Sequence, residues 1–146
     1  IAVIVMAPKS YLQTIRVNQA AAKIKSDIRY AQSYALSSQK RTRISFTLPA
    51  SYSIYTEASP GSWGLLKDPL TKNDFMVSFS SGEYSGVTIT QTNFDGVNYG
   101  LVFNAAGRPY SYNPADGATA ALSVLGVVTL NAGITVTVEP NTGKVN

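Results

Sequence analysis

One long helical pattern, which we place in residues 1–41, constrains the fold of this chain more than any other feature. Its apolar residues recur at alternating spacings of four and three, the pattern of one buried stripe along an α-helix. These residues, called the seam below, are Val17, Ala21, Ile24, Ile28, Ala31 and Ala35. No Pro or Gly interrupts the run between Pro8 and Pro49. The seam predicts a helix that packs one face onto the rest of the chain and supplies association energy in an assembly.

The residues before the seam are apolar without a polar face. Ile1 to Ala7 form a bare apolar run that includes Ile4, which we add to the packing residues, and Pro8 follows. Seven residues fall short of the ~20 that span a bilayer. The run is then either the tail of a longer membrane helix or the buried start of a soluble one; a signal-peptide remnant is a third interpretation. Pro8 predicts a bend or a boundary in the helix.

The periodicity changes from helical to strand-like near Thr42. Ile44, Phe46 and Leu48 alternate with polar residues, which predicts a strand with one apolar face. Residues 52–56 are the predicted hairpin partner, and residues 49–51 the turn between them. The helix is therefore expected to end between Ser38 and Thr42.

Further strands are predicted through the rest of the chain. Residues 93–96 are read as a turn between two strands, and Pro109 demotes residues 108–112 to an edge strand or loop. Residues 113–121 are read as a loop of small residues, and residues 131–133 as a tight turn joining the last two strands. The prediction is one α+β domain: a long N-terminal helix over residues 1–41, packed on an antiparallel sheet or sandwich over residues 42–146.

The composition argues against most enzymatic chemistry. The chain has no His and no Cys, so it lacks the usual general base, the commonest metal ligands and any thiol nucleophile. Ser37 and Lys40 fit a Ser-x-x-Lys spacing, but the companion motifs of that catalytic class are absent. We therefore predict no enzyme, no cofactor, no metal and no small-molecule substrate.

Two groups of acidic and amide residues stay open as calcium ligands or as ordinary turn residues. They are Asp68, Asn73 and Asp74 in one group and Asn93, Asp95 and Asn98 in the other. Neither group has the spacing of an EF-hand loop, and Asp and Asn are common in turns for backbone reasons alone.

Charge is distributed unevenly along the chain. Residues 1–43 hold eight basic residues and one acidic residue, a net charge of +7, whereas residues 44–146 hold four basic and seven acidic residues, a net charge of −3. The basic helix either meets a negative partner or is a solvated face attracted to its own head. Lys9, Arg16 and Lys23 recur every seven residues, and we predict that they lie outward and set the register against acidic neighbours.

Tyrosines cluster in sequence around Arg108. Tyr99, Tyr110 and Tyr112 either stack bases of a nucleic acid beside this arginine or are half-buried sheet residues with solvated hydroxyls. Both interpretations follow from the same residues.

Several segments, taken together, resemble the GspH/FimT-type minor pseudopilins of the type IV pilin-like family. They are the helix with Ala7-Pro8, the passage of residues 22–46 straight into the first strand, residues 101–109 with Gly107-Arg108, and the closing segment 136–145. The resemblance implies a filament subunit, either a secretion pseudopilin or a pilin. Its helix sits in the inner membrane before assembly and its head faces the periplasm or the outside. Its partners are other pilins.

The resemblance also implies an alternative, a DNA-binding minor pilin used in uptake. Some FimT-like proteins bind DNA through Gly-Arg-x-Arg, and here Gly107-Arg108-Pro109-Tyr110 keeps only the first arginine. The candidate DNA contacts are Arg108, Tyr110, Lys40, Arg41, Arg43 and Lys144.

Overall fold

A single long helix opens the described part of the chain. The computed structural model describes the backbone of residues 9–146 and the side chains of residues 11–146. Helix α1 spans Lys9–Ser38, so it ends inside the predicted window. It ends there because Gln39 takes a φ of +57° and its side-chain amide donates a 2.7 Å hydrogen bond to the Leu36 carbonyl.

The predictions for the apolar start lie outside the described residues. They concern the run Ile1 to Ala7, the packing residue Ile4 and the bend at Pro8, and the side chain of Lys9 is likewise outside.

Ten short strands follow within residues 42–146. They are β1 (Thr42–Thr47), β2 (Ser51–Ser59), β3 (Ser62–Leu65), β4 (Met76–Ser78), β5 (Ile89–Asn93), β6 (Gly100–Phe103), β7 (Pro109–Tyr112), β8 (Thr119–Ala121), β9 (Gly126–Leu130) and β10 (Thr135–Val138). Two 3-10 turns, Gly82–Tyr84 and Asn131–Gly133, complete the elements. The first hairpin and the last hairpin are confirmed.

The strands form two antiparallel sheets. The large sheet has the order β3-β2-β1-β6-β7-β8, with β4 paired to the other part of β2. The small sheet has the order β10-β9-β5. In the large sheet Ile44 pairs with Ile54, and Phe46 pairs with Tyr52 with ring centroids 5.7 Å apart. Such cross-strand pairs on one face turn the alternation in the sequence into an apolar surface.

The helix lies on that apolar surface. Helix α1 contacts β1 and β6 of the large sheet and β10 of the small one. One continuous core unites the seam with the inward residues of both sheets, including Ile44, Ile54 and Phe103. The predicted α+β arrangement, a helix packed on an antiparallel head, is therefore confirmed.

Two details of the head differ from the sequence-based predictions. Residues 109–112 are not an edge strand or a loop, because β7 pairs with both β6 and β8. Pro109 is tolerated because it is the first residue of its strand, where a missing N–H does least harm. Residues 119–121 form β8 rather than a loop. The predicted turn at residues 93–96 lies between β5 and β6, and it carries the chain from the small sheet to the large one.

Polar side chains also fasten the helix to loops of the head along its length. The Gln13 amide donates 2.7 Å to the Gly86 carbonyl, and the Gln32 amide donates 2.8 Å to the Gly107 carbonyl. Arg29 donates 3.0 Å to the Val145 carbonyl. These bonds fix which face of the helix is turned inward, and so which face is left for other molecules.

Candidate interaction surfaces

The seam is the inward face of the helix. All six of its residues are buried, at 0–4% exposure, against the chain's own head. The prediction that the seam packs on the head is therefore confirmed. That the seam also supplies association energy in an assembly stays a prediction.

The opposite face of the helix is exposed over most of its described length, although Arg29 reaches from it to the Val145 carbonyl of the head. Its exposed residues again alternate at spacings of three and four, and their mean direction lies about 160° from that of the seam at 100° per residue. These residues, called the outer stripe below, are Leu12, Ile15, Gln19, Ala22, Ser26, Arg29, Ser33 and Leu36. Leu12 and Ile15 are 46% and 36% exposed. The stripe has large apolar side chains at its ends and mostly small or polar ones between.

Two of the three regularly spaced basic residues contact their own head. Lys23 donates 2.9 Å to Asp27, one helical turn further along, and its Nζ lies 5.4 Å from the centroid of the Phe75 ring. Arg16 donates 3.3 Å to the Ser85 carbonyl. Lys23 is half-buried beside Phe75 of the head rather than fully outward, and its carboxylate partner is in its own helix.

Asp27 is a buried carboxylate between the helix and β2. It is 5% exposed and accepts two hydrogen bonds, from Lys23 on one oxygen and from the Tyr52 hydroxyl at 2.6 Å on the other. Burial raises the pKa of Asp27, while the two hydrogen bonds act in the opposite direction. Burial and the neighbouring carboxylate raise the pKa of Tyr52 well above its ordinary value. Asp27 therefore links the helix to the large sheet.

We expect Tyr52→Phe to lower the free energy of unfolding by about 1–3 kcal/mol, because it leaves a buried carboxylate oxygen without a donor. Urea unfolding of the purified protein measures the loss. Tyr110→Phe is the matched control: Tyr110 is half-buried, and among the described residues its hydroxyl has no hydrogen-bond partner. Equal stability of the two variants would contradict the role given to the Asp27–Tyr52 bond.

The outer face of the large sheet, turned away from the helix, carries a cluster of aromatic rings around one arginine. The Cζ atom of Arg43 lies 4.4 Å from the Tyr112 centroid, 4.5 Å from the Tyr55 centroid and 4.7 Å from the Trp63 centroid. The register explains the cluster: Arg43 pairs with Tyr55 across β1 and β2, and Trp63 stands on β3 beside them. We call these four residues the arginine cage.

A second arginine borders the arginine cage but has an acidic partner. Arg41 forms a two-pronged ion pair with Glu57, whose longer bond from Nε is 3.1 Å, and its Cζ lies 5.3 Å from the Trp63 centroid. The hydrogen bond from Arg41 lowers the pKa of Glu57. The positive charge of Arg41 is therefore neutralised within the protein.

The six predicted DNA contacts differ in whether their charged or aromatic groups already have partners within the protein. Arg41 is bound to Glu57, and Arg43 is stacked among rings. Arg108 is exposed but donates 3.2 Å to the Asn141 side chain. Tyr110 shares the outer sheet face with Arg43, because both are opposite Val102 in the register. Lys40 and Lys144 are exposed.

One of the three tyrosines that the sequence placed near Arg108 contacts a different arginine. Tyr112 lies against Arg43, not Arg108. Tyr99, Tyr110 and Tyr112 are half-buried, as the second of the two sequence interpretations required.

The acidic groups left open as calcium ligands accept hydrogen bonds from backbone N–H groups, Asp68 within its own turn and Asp95 from a distant loop. Asp68 accepts backbone N–H bonds from Leu70 and Thr71. Asp95 accepts backbone N–H bonds from Ser123 and Val124 with its two oxygens. Within residues 11–146, no three His, Cys, Asp or Glu side chains converge as metal ligands.

A cleft of about 380 Å³ lies beside the helix, between it and the loop of residues 68–70. Lys23, Asp27 and Phe75 contribute to its walls. Because the lysine and the buried aspartate are already bonded to one another, the cleft offers few unsatisfied polar groups to a ligand.

Comparison with known proteins finds one family. The family model described as "Type II transport protein GspH" matches residues 20–143, which include most of the described helix and nearly all of the head. No curated protein and no solved structure matches the chain.

Proposed function

The chain belongs to the GspH family of type II transport proteins, and from that membership we propose that it is a pseudopilin subunit that assembles through its N-terminal helix. GspH proteins are structural pseudopilins of type II secretion, a role that needs a surface for neighbours and no catalytic centre. The observation that carries the proposal is the outer stripe: the helix buries one face on its own head and leaves the opposite face exposed.

The outer stripe has the chemistry of a helix-packing surface. Leu12 and Ile15 add apolar area whose burial contributes about 25 cal/mol per Å². Ala22, Ser26 and Ser33 are small, so the backbone of a neighbouring helix can approach closely at the middle of the stripe. The seam then holds the head to the helix while the outer stripe contacts other subunits.

Family membership places the protein in the periplasm or with the pseudopilus. We propose that the apolar run Ile1 to Ala7 belongs to an inner-membrane anchor that holds the subunit before assembly. Within residues 9–146, no helix is both long and apolar enough to cross a membrane.

Incorporation into filaments tests this proposal directly. The full-length protein is co-produced with the other pseudopilins of its secretion system, and sheared filaments are separated from membranes and probed for it. Its presence in the filament fraction, dependent on the other subunits, is the expected result. Its absence under conditions where the other pseudopilins assemble would overturn the proposal.

DNA binding remains the alternative function, with Arg108, Tyr110, Lys40 and Lys144 as its remaining candidate contacts. Because Arg41 is neutralised by Glu57 and residues 44–146 carry a net charge of −3, we expect no measurable binding of double- or single-stranded DNA at physiological salt. Titration of the purified protein at low and physiological salt checks this. Binding that weakens steeply with salt and is lost in Arg108→Ala would establish the alternative.

A further inference from the structure

We propose that the arginine cage is a binding site for a carboxylate side chain, Asp or Glu, presented by a protein partner at the outer face of the large sheet. The proposal concerns the side of the head turned away from the helix, so it is independent of assembly through the outer stripe.

The first reason is that Arg43 has unused hydrogen-bond donors. Its guanidinium donates no hydrogen bond to any described residue, and its Nε is buried without a partner. The two Nη atoms of Arg43 are accessible to solvent, unlike its Nε. A buried donor without an acceptor costs free energy until an acceptor arrives.

The second reason is that the rings fix the guanidinium in place. The Cζ atom of Arg43 lies within 4.7 Å of three ring centroids, those of Tyr55, Trp63 and Tyr112. The Trp63 ring packs edge-on to the Tyr112 ring, with centroids 6.5 Å apart. A guanidinium stacked on aromatic rings keeps its N–H edge for hydrogen bonds, and that edge matches a carboxylate through two parallel bonds. Little side-chain entropy remains to be lost on binding.

The third reason is charge. Arg41 and Glu57 neutralise each other, so the net charge of Arg41, Glu57 and Arg43 together is +1, and the charge without a partner is on Arg43. One carboxylate balances it. A nucleic acid gains affinity from several cations along its backbone. Here Arg43 is the only one of these three residues whose charge has no partner, and the carboxylate of Glu57 beside it would repel a phosphate backbone.

The fourth reason is composition. Trp, Tyr and Arg are the residues that dominate binding energy at the centre of protein interfaces. The arginine cage consists of these three residue types alone. This favours a protein segment over a small anion as the ligand.

Trp63 makes the proposal directly measurable, because it is the only tryptophan of the chain. The purified protein is titrated at low salt with acetyl-tetraglutamate amide, and tryptophan fluorescence is recorded. We expect a saturable change that acetyl-tetraglutamine amide does not produce. An equal response to the glutamine peptide, or no response to the glutamate peptide, would overturn the proposal.

Variants assign the response to Arg43. Arg43→Gln should weaken the response about tenfold or more, the loss expected for a charge-assisted hydrogen bond. Arg108→Gln, at an exposed arginine outside the arginine cage, is the matched control and should bind as the wild type does. Unchanged binding in Arg43→Gln would contradict the assignment.

Two further measurements keep the test decisive. Arg43→Lys retains the charge but loses the two-pronged geometry. Its melting temperature shows whether the variant is folded. If the folded lysine variant bound tetraglutamate with wild-type affinity, the proposal that Arg43 binds a carboxylate through two parallel hydrogen bonds would be overturned. Oligothymidylate of the same charge as the peptide is the competing ligand. A response to it as strong as that to tetraglutamate would overturn the choice of a carboxylate.

Discussion

Ile28→Ala should lower the free energy of unfolding by about 2–5 kcal/mol, the range for truncating a large aliphatic side chain in a core. Ile28 is 1% exposed and lies in the core that joins the seam to both sheets. The cavity would open between the helix and the head, so the helix should loosen with the rest of the core. Chemical denaturation followed by far-ultraviolet circular dichroism measures the loss.

Ile15→Ala is the matched control for Ile28→Ala, because it removes the same atoms from the exposed side of the same helix. Surface substitutions of this kind usually change stability by no more than about 0.5 kcal/mol. If both variants lost the same amount, the division of the helix into a buried seam and an exposed outer stripe would be wrong.

The double variant Leu12→Glu, Ile15→Glu should abolish or strongly reduce incorporation into filaments while leaving the stability of the head unchanged. Both side chains are exposed in the isolated subunit, so charge there costs little until a neighbouring helix covers it. Burying an unpaired carboxylate in an apolar contact then costs several kcal/mol. The measurement compares the variant with wild type in sheared filaments.

Leu70→Glu controls for charge on an exposed leucine of the head, since Leu70 is 88% exposed on a loop. It should incorporate normally. Equal loss of incorporation in both proteins would point to a general effect of added negative charge and would contradict assembly through the outer stripe.

The fold was largely predictable because its main elements are encoded in local patterns. The seam follows the helical period without a break, and the alternation of Ile44, Phe46 and Leu48 identifies β1 and its apolar face. The strand predictions failed where pairing with residues distant in sequence decides whether a segment is a strand or an edge. Pro109 signals a strand edge locally, yet its position at the start of β7 leaves the rest of that strand free to pair on both sides. The turn at residues 93–96 was predictable, but no local pattern there indicates that β5 and β6 belong to different sheets.

The interaction surfaces were less predictable than the fold. The sequence predicted the seam and its packing on the head, but a buried stripe alone does not show which other residues of the helix face neighbouring subunits. The outer stripe was not predicted, because most of its residues are small or polar and form no apolar pattern. The sequence indicated the arginine cage only weakly. Arg43 and Tyr55 are outward positions of two predicted strands, but the register is needed to place them side by side. The register also brings Trp63 and Tyr112 beside them.

The central claim is that the outer stripe faces neighbouring subunits in the assembled filament, and site-specific crosslinking tests it most directly. The chain contains no cysteine, so single cysteines at Ala22 on the outer stripe and at Ser80 on the exposed head can each carry a thiol-linked photo-crosslinker. The account predicts crosslinks to other pseudopilins from position 22 in assembled filaments and none from position 80. Crosslinks to other pseudopilins from position 80 with none from position 22 would contradict it.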